Sequence, residues 1–226
     1  MAISFLSGTS TQQTTSNLGV SWVHGVSNSN ELMFVDVNMR TLAASGVSIT
    51  YSGASVQNLT MLGRIDNGTT NRLETWYLEN PQTGNNTLQL TLSGTTVRYT
   101  TIATTYGGTI ASPIGAITSG TATSTTPNIT LTTTIDNSWI HNTFGIGTRT
   151  PTFTASAPNT LRVDAFNGAT PNGNQTRTDA NDLSTTTAGA YNVSGTYSVS
   201  VGWLGWAVEM KPRGTTKGMG YITGRN

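Results

Sequence analysis

The chain has no cysteine, only two histidines, and charged side chains at 9% of its 226 positions. Without cysteine there are no disulfides and no thiolate metal sites. His24 and His141 each fall within an expected strand, with no HxH, HxxxH or HExxH spacing, so the usual proton-transfer and zinc-binding patterns are missing. No GxSxG elbow is present to lift a serine onto a strand-to-helix turn, which argues against triad hydrolysis. No apolar run approaches the roughly 18 residues of a membrane span. The start, Met1-Ala2-Ile3-Ser4-Phe5-Leu6-Ser7, has neither the basic segment nor the apolar stretch of a secretory signal. These absences lead us to expect a chain made in the cytoplasm, with no cofactor, no metal and no membrane partner.

What fills the sequence instead is hydroxyl: 45 threonines and 21 serines, with 25 glycines. Threonine is stiff at χ1, suits the pleat, and turns a hydroxyl toward water. The apolar residues alternate as strands require. In Glu31 to Arg40, Met33, Val35, Val37 and Met39 alternate with Phe34, Asp36, Asn38 and Arg40, giving one apolar and one mostly polar face. Val47, Ile49 and Tyr51 repeat the device, as do Leu88, Leu90 and Leu92; Ile129 and Leu131; Leu161, Val163 and Ala165; and Tyr197, Val199 and Val201. Turn signals such as Ser52-Gly53, Asn67-Gly68, Asn80-Pro81, Ser93-Gly94 and Gly107-Gly108 punctuate these runs. The expectation is an all-β, antiparallel, jelly-roll-like sandwich with little or no helix. Residues 1–16 are expected to be an extended or flexible leader, 17–210 a single sandwich domain, and 211–226 a basic, glycine-rich arm. Thr118 to Thr126 and Asn167 to Asp182 are poor in apolar residues and are expected to be surface loops.

Residues 1 to 210 carry seven arginines against ten Asp and Glu, a net of 7 − 10 = −3. Lys211, Arg213, Lys217 and Arg225 follow in a stretch with no acid, adding +4. A basic end on an acidic body marks a candidate docking arm for an acidic neighbouring subunit. Four cations without interleaved stacking aromatics make a poor nucleic-acid footprint, so nucleic acid is not the expected partner.

The ten carboxylates are scattered. A glycosidase needs two facing across a cleft about 5 to 9.5 Å apart, and Glu74 and Glu79 lie on opposite strand faces by parity. Asp179-Ala180-Asn181-Asp182 offers oxygens for Ca²⁺ without the EF-hand order and reads better as a loop held by Asx turns. With Trp203 and Trp206, the residues Asp179, Asn181 and Asp182 are the candidates for glycan contact; the two tryptophans have opposite parity unless a bulge at Gly205 realigns them.

Four segments together resemble a β-sandwich family met in tailed-phage virion proteins and in repeated domains of bacterial and archaeal surface proteins. They are Ile49-Thr50-Tyr51-Ser52-Gly53; Trp76-Tyr77-Leu78-Glu79-Asn80-Pro81 with Gly84; Tyr106-Gly107-Gly108 before Ser112-Pro113; and Trp206-Ala207-Val208-Glu209-Met210-Lys211-Pro212. The resemblance spans roughly residues 18 to 212 and implies one copy of a jelly-roll-like sandwich with no catalytic residues to carry over. It implies a non-enzymatic structural protein on a virion surface, such as a capsid decoration or head-fibre component, assembled in the host cytoplasm as a homo-oligomer with other virion subunits as partners. A glycan-binding adhesin or tail-fibre domain, a subunit of a cell-surface filament or layer (both extracellular), and a glycoside-active enzyme are the rival expectations.

Overall fold

The computed structural model describes residues 2–28, 31–68, 70–95, 97–148, 151–167 and 175–214. The strands of the first half are β1 (Ser4–Asn17), β2 (Gly19–Val26), β3 (Leu32–Met39), β4 (Ala44–Ser52), β5 (Val56–Asn58), β6 (Thr60–Asn67), β7 (Asn71–Glu79), β8 (Gly84–Gly94) and β9 (Val97–Gly107). Those of the second are β10 (Thr109–Ser124), β11 (Asn128–Thr132), β12 (Trp139–Ile146), β13 (Phe153–Ala155), β14 (Thr160–Phe166), β15 (Arg177–Ser184), β16 (Ala190–Tyr197) and β17 (Val201–Pro212). Every pairing is antiparallel, and no helix occurs among the described residues.

The sheet orders reveal a duplication. One sheet runs β1-β9-β3-β7-β6 and another β10-β17-β12-β15-β14; a third runs β2-β8-β4-β5 and the last β11-β16-β13. Leaving out the short β5, each strand of the first half holds the place of one strand of the second. Both halves place their first, eighth, third and sixth strands in one sheet and their second, seventh and fourth in the other, as a jelly roll does. The chain is therefore two jelly-roll-like sandwiches, where a single sandwich was expected. The segments that carry the family resemblance divide between them, with residues 49–108 in the first and Ser112-Pro113 and residues 206–212 in the second.

Each sandwich has its own core. Met33, Val35, Val37, Met39, Ile49, Tyr51, Leu88 and Leu90 fill the first, and Ile129, Leu131, Ile140, Phe144, Val193, Tyr197 and Trp203 the second. The two sandwiches then stack through their five-stranded sheets, burying Leu32, Phe34, Tyr106, Val208 and Met210 between them. This stacking explains why β3 is buried at all eight positions although its sequence alternates. Its polar face meets the polar face of the second sandwich instead of water.

Several local expectations change. The leader is β1, paired with β9 from Ser4 to Asn17 and integral to the first sandwich. Thr118 to Ser124, expected as loop, belongs to β10 and pairs with β17, where its hydroxyl-rich, β-branched composition suits an edge strand. Val47 is 57% exposed because a register shift between Gly46 and Ser48 breaks the alternation, while Ile49 and Tyr51 point inward as expected. Tyr197, Val199 and Val201 do not share a strand: β16 ends at Tyr197 and β17 begins at Val201.

Candidate functional site

The densest set of functional side chains lies in the seam between the sandwiches. β3 presents Phe34, Asp36 and Asn38, and β12 presents His141 and Thr143 opposite them. Asp36 accepts hydrogen bonds from Thr75 Oγ1 at 2.7 Å, Thr143 Oγ1 at 2.7 Å and His141 Nε2 at 3.0 Å. The Phe34 ring stacks on the His141 imidazole with centroids 4.3 Å apart, and Tyr106 Oη lies 3.3 Å from Nδ1. Asn38 Nδ2 donates to the carbonyls of Ile146 at 3.1 Å and Arg177 at 2.7 Å, tying the sheets together farther along.

A hydroxyl, an imidazole and a carboxylate in contact are the parts of a triad, but their geometry serves another purpose. Both threonine hydroxyls give their protons to Asp36, so neither is poised as a nucleophile against the imidazole. Asp36, Thr75, His141 and Thr143 are all completely buried. Each polar group has its partner inside the protein, which is what a buried network requires if it is to specify a packing rather than weaken it. This is a lock between the two sandwiches.

Other buried polar groups tie strands and loops together. Glu209 accepts from Ala116 N, Thr134 N and Oγ1, and Ser138 Oγ at 2.7–2.9 Å. Burial alone raises its carboxyl, and these hydrogen bonds outweigh burial and hold it below the ordinary range. Glu74 accepts from Ser45 Oγ and Gly46 N at 2.9 Å. His24 sits between Thr9 Oγ1 at 2.8 Å and Thr105 Oγ1 at 2.6 Å, and burial lowers its pKa to about 4.

A groove of about 430 Å³ at one end of the seam is lined by Arg40, Asn67, Asn71, Thr148 and Gly202, with no carboxylate. A crevice of about 110 Å³ brings Glu31, Glu79 and Arg213 together. That volume is well below the roughly 300 Å³ at which ligand pockets begin, so this carboxylate pair does not face a sugar-sized cleft. Among the described residues no group of three or more His, Asp or Glu is placed to share a metal ion.

The residues expected to touch glycans lie elsewhere than supposed. Asp179, Asn181 and Asp182 are in β15, buried, and not in a loop held by Asx turns. Asp179 accepts from Tyr197 Oη at 2.9 Å and Arg177 Nε at 3.1 Å; Asp182 accepts from Arg162 Nε at 2.6 Å. Burial raises both carboxyls, that of Asp179 well above its usual range. Trp203 is buried against Phe144 and donates to Ser124 Oγ. Trp206 faces the other way, as its parity requires, but that face packs on the first sandwich, where the ring covers Gly63. The ladders of β17 run unbroken through Gly205, without a bulge. Of the candidate docking arm, Lys211 is in β17 and Arg213 N donates to Gly108 O at 2.8 Å, so both belong to the folded body; Lys217 and Arg225 lie outside the described residues.

The duplication itself had a signal in the sequence. Arg64-Ile65-Asp66 is followed by Arg72-Leu73-Glu74, and Arg162-Val163-Asp164 by Arg177-Thr178-Asp179. In each half the aspartate of the outer strand pairs with the arginine of the next: Asp66 with Arg72 Nε at 2.8 Å, and Asp164 with Arg177. Comparison of the chain with protein-family profiles, characterised proteins and solved structures finds no match.

Proposed function

We propose that this chain is a non-enzymatic structural subunit displayed on a virus particle, of the capsid-decoration or head-fibre kind, assembled in the host cytoplasm with other virion subunits as its partners. The observation that carries this reading is the duplicated jelly roll locked through a solvent-free polar seam. Jelly rolls recur in viral capsid proteins and in lectins, and fold alone does not choose between them. The choice here rests on where the chemistry-bearing residues go: Asp36, His141, Asp179 and Glu209 are all spent inside the protein. The family resemblance points the same way. Particles purified by density gradient from the producing culture should bind an antibody raised against this chain in a regular surface array. Labelling confined to the cell envelope, with bare particles, would reject the reading.

A glycan-binding adhesin is the second reading, and the polar groove at Arg40, Asn67 and Thr148 is what favours it. Glycan-array binding that Arg40→Ala abolishes and Trp203→Phe leaves in place supports an adhesin.

A further inference from the structure

The crevice lined by Glu31, Glu79 and Arg213 lies where the two sandwiches meet, at the end of β3 away from Arg40. Glu31 immediately precedes β3 and Glu79 ends β7, both in the first sandwich; Thr109 and Ile110, also in the wall, open β10 of the second. Glu31 is 2% exposed. Its Oε1 accepts from Asn28 N at 2.6 Å and Ser27 Oγ at 3.2 Å, while its Oε2 is buried and has no donor. Asp36 and Glu209, just as deeply buried, have donors on both oxygens. A buried carboxylate oxygen left unpaired is costly, and what ordinarily compensates it is an opposite charge or a metal ion. Glu79 lines the same crevice, and its Oε2 accepts from Ser112 N at a long 3.3 Å. Two carboxylates and one guanidinium leave the wall one negative charge in excess. The space of about 110 Å³ is too small for a sugar but holds an ion with two or three waters, at about 30 Å³ for each water.

We infer that this crevice binds a hard divalent cation, Ca²⁺, held by Glu31 Oε2 and the Glu79 carboxylate from the first sandwich and by oxygens of Thr109 and Ile110 from the second. Calcium accepts six to eight oxygens in flexible geometry and mixes carboxylates with carbonyls and waters, which suits a wall built from three separate segments. Magnesium demands a near-ideal octahedron that such a wall does not supply. With two carboxylates in place of three or more, the site belongs to the weak class, with a Kd on the order of 10⁻⁴ to 10⁻³ M. The ion ties the sandwiches together at one end of the seam, as Asn38 does toward the other. Binding there is independent of where the protein is displayed.

Calcium titration of the EDTA-treated full chain at fixed ionic strength, followed by thermal unfolding and by calorimetry, tests this. The thermal midpoint should rise by about 3–6 °C once Ca²⁺ reaches ten times its Kd. Glu31→Gln keeps the shape of the side chain and removes its charge. In EDTA it should unfold at or above the parent's midpoint, because an unpartnered anion is gone, and its calcium shift should vanish. Glu79→Gln should lose most of the shift, whereas Asp136→Asn, which changes an acid outside the crevice, should keep all of it. Arg213→Gln removes a like charge from the wall and should tighten binding. A parent midpoint that does not move at about 10 mM Ca²⁺, ten times the weakest Kd expected, overturns the inference. So does a shift that Glu31→Gln and Glu79→Gln both retain, which places the ion elsewhere. Should Glu31→Gln fail to fold, the other two crevice variants carry the test: Glu79→Gln must weaken binding and Arg213→Gln must strengthen it, and failure of either overturns the site.

Discussion

His141 Nε2 donates to Asp36 Oδ2 at 3.0 Å across the seam between the two sandwiches, and neither side chain reaches solvent. The pair is the centre of a network in which Asp36 takes three donors from two strands, β7 and β12. Its worth is specificity of packing. Sliding one sheet against the other by a residue pair would strip the carboxylate of its two donors from β12 in a dry interface and leave it Thr75 alone, at a cost of several kcal/mol.

Removing one partner should therefore cost more than removing both. Asp36→Ala is expected to destabilise the protein by about 3–5 kcal/mol because it strands the imidazole and two hydroxyls in the seam. Combining Asp36→Leu with His141→Leu should cost less than the two single changes added together. Urea unfolding of the four proteins measures this, and strict additivity would show that the two residues are not coupled.

His24 gives the protein a pH dependence of known sign. Its native pKa is about 4, against an unfolded value of 6.5, because burial disfavours the charged ring. Between those values the unfolded chain holds a proton that the native chain lacks, so stability falls as the pH drops from about 6.5 to about 4. A shift of this size corresponds to roughly 3 kcal/mol at most. His24→Gln should remove that slope, so the stability gap between parent and variant narrows toward pH 4. A gap that stays constant from pH 7 to pH 4 would mean that His24 is accessible to protons in the native state.

Gly63 is the place where the ring of Trp206 from the second sandwich rests on the first. A Cβ there would lie 2.5 Å from Trp206 Cη2, closer than any real contact. Gly63→Ala should cost about 1–3 kcal/mol through overpacking and should alter tryptophan fluorescence. Trp206→Leu in the same background should recover part of the loss. If Gly63→Ala unfolds at the parent's urea midpoint, the two sandwiches are not packed tightly at that point.

Strand-level structure was legible because period-two alternation survives wherever one face is apolar, as in Met33 to Met39 and Leu88 to Leu92. The missing element was the partner of the polar face. Alternation in Phe34, Asp36 and Asn38 cannot distinguish water from a second polar sheet, and so the seam and the burial of β15 were invisible to it. The repeated Arg-x-Asp and Arg-x-acid triplets carried that information at the level of duplication, in four short pieces separated by loops of different length. Trp206 shows the same limit: parity correctly turned it away from Trp203, yet said nothing of Gly63 on the far side. The candidate glycan residues failed for one physical reason. Asp179, Asn181 and Asp182 look loop-like by composition, but Arg177 and Tyr197 supply partners to Asp179, Arg162 to Asp182, and the Asp179 carbonyl accepts from Asn181 Nδ2, which allows a strand to bury them.

The boundary of the basic arm is open to a direct measurement. Pro212 pairs with Thr109 and Arg213 N bonds Gly108, so Lys211 and Arg213 close the last strand of the second sandwich. Removing residues 215–226 is expected to leave the thermal midpoint unchanged. Removing 211–226 should lower it, by about 2–4 °C for each kcal/mol lost in a chain of this size. If docking depends on Lys217 and Arg225, the shorter deletion already abolishes particle association while folding is intact. If the shorter deletion binds particles as the full chain does, Lys217 and Arg225 are dispensable, and charge reversal at Lys211 and Arg213 becomes the decisive experiment for the arm.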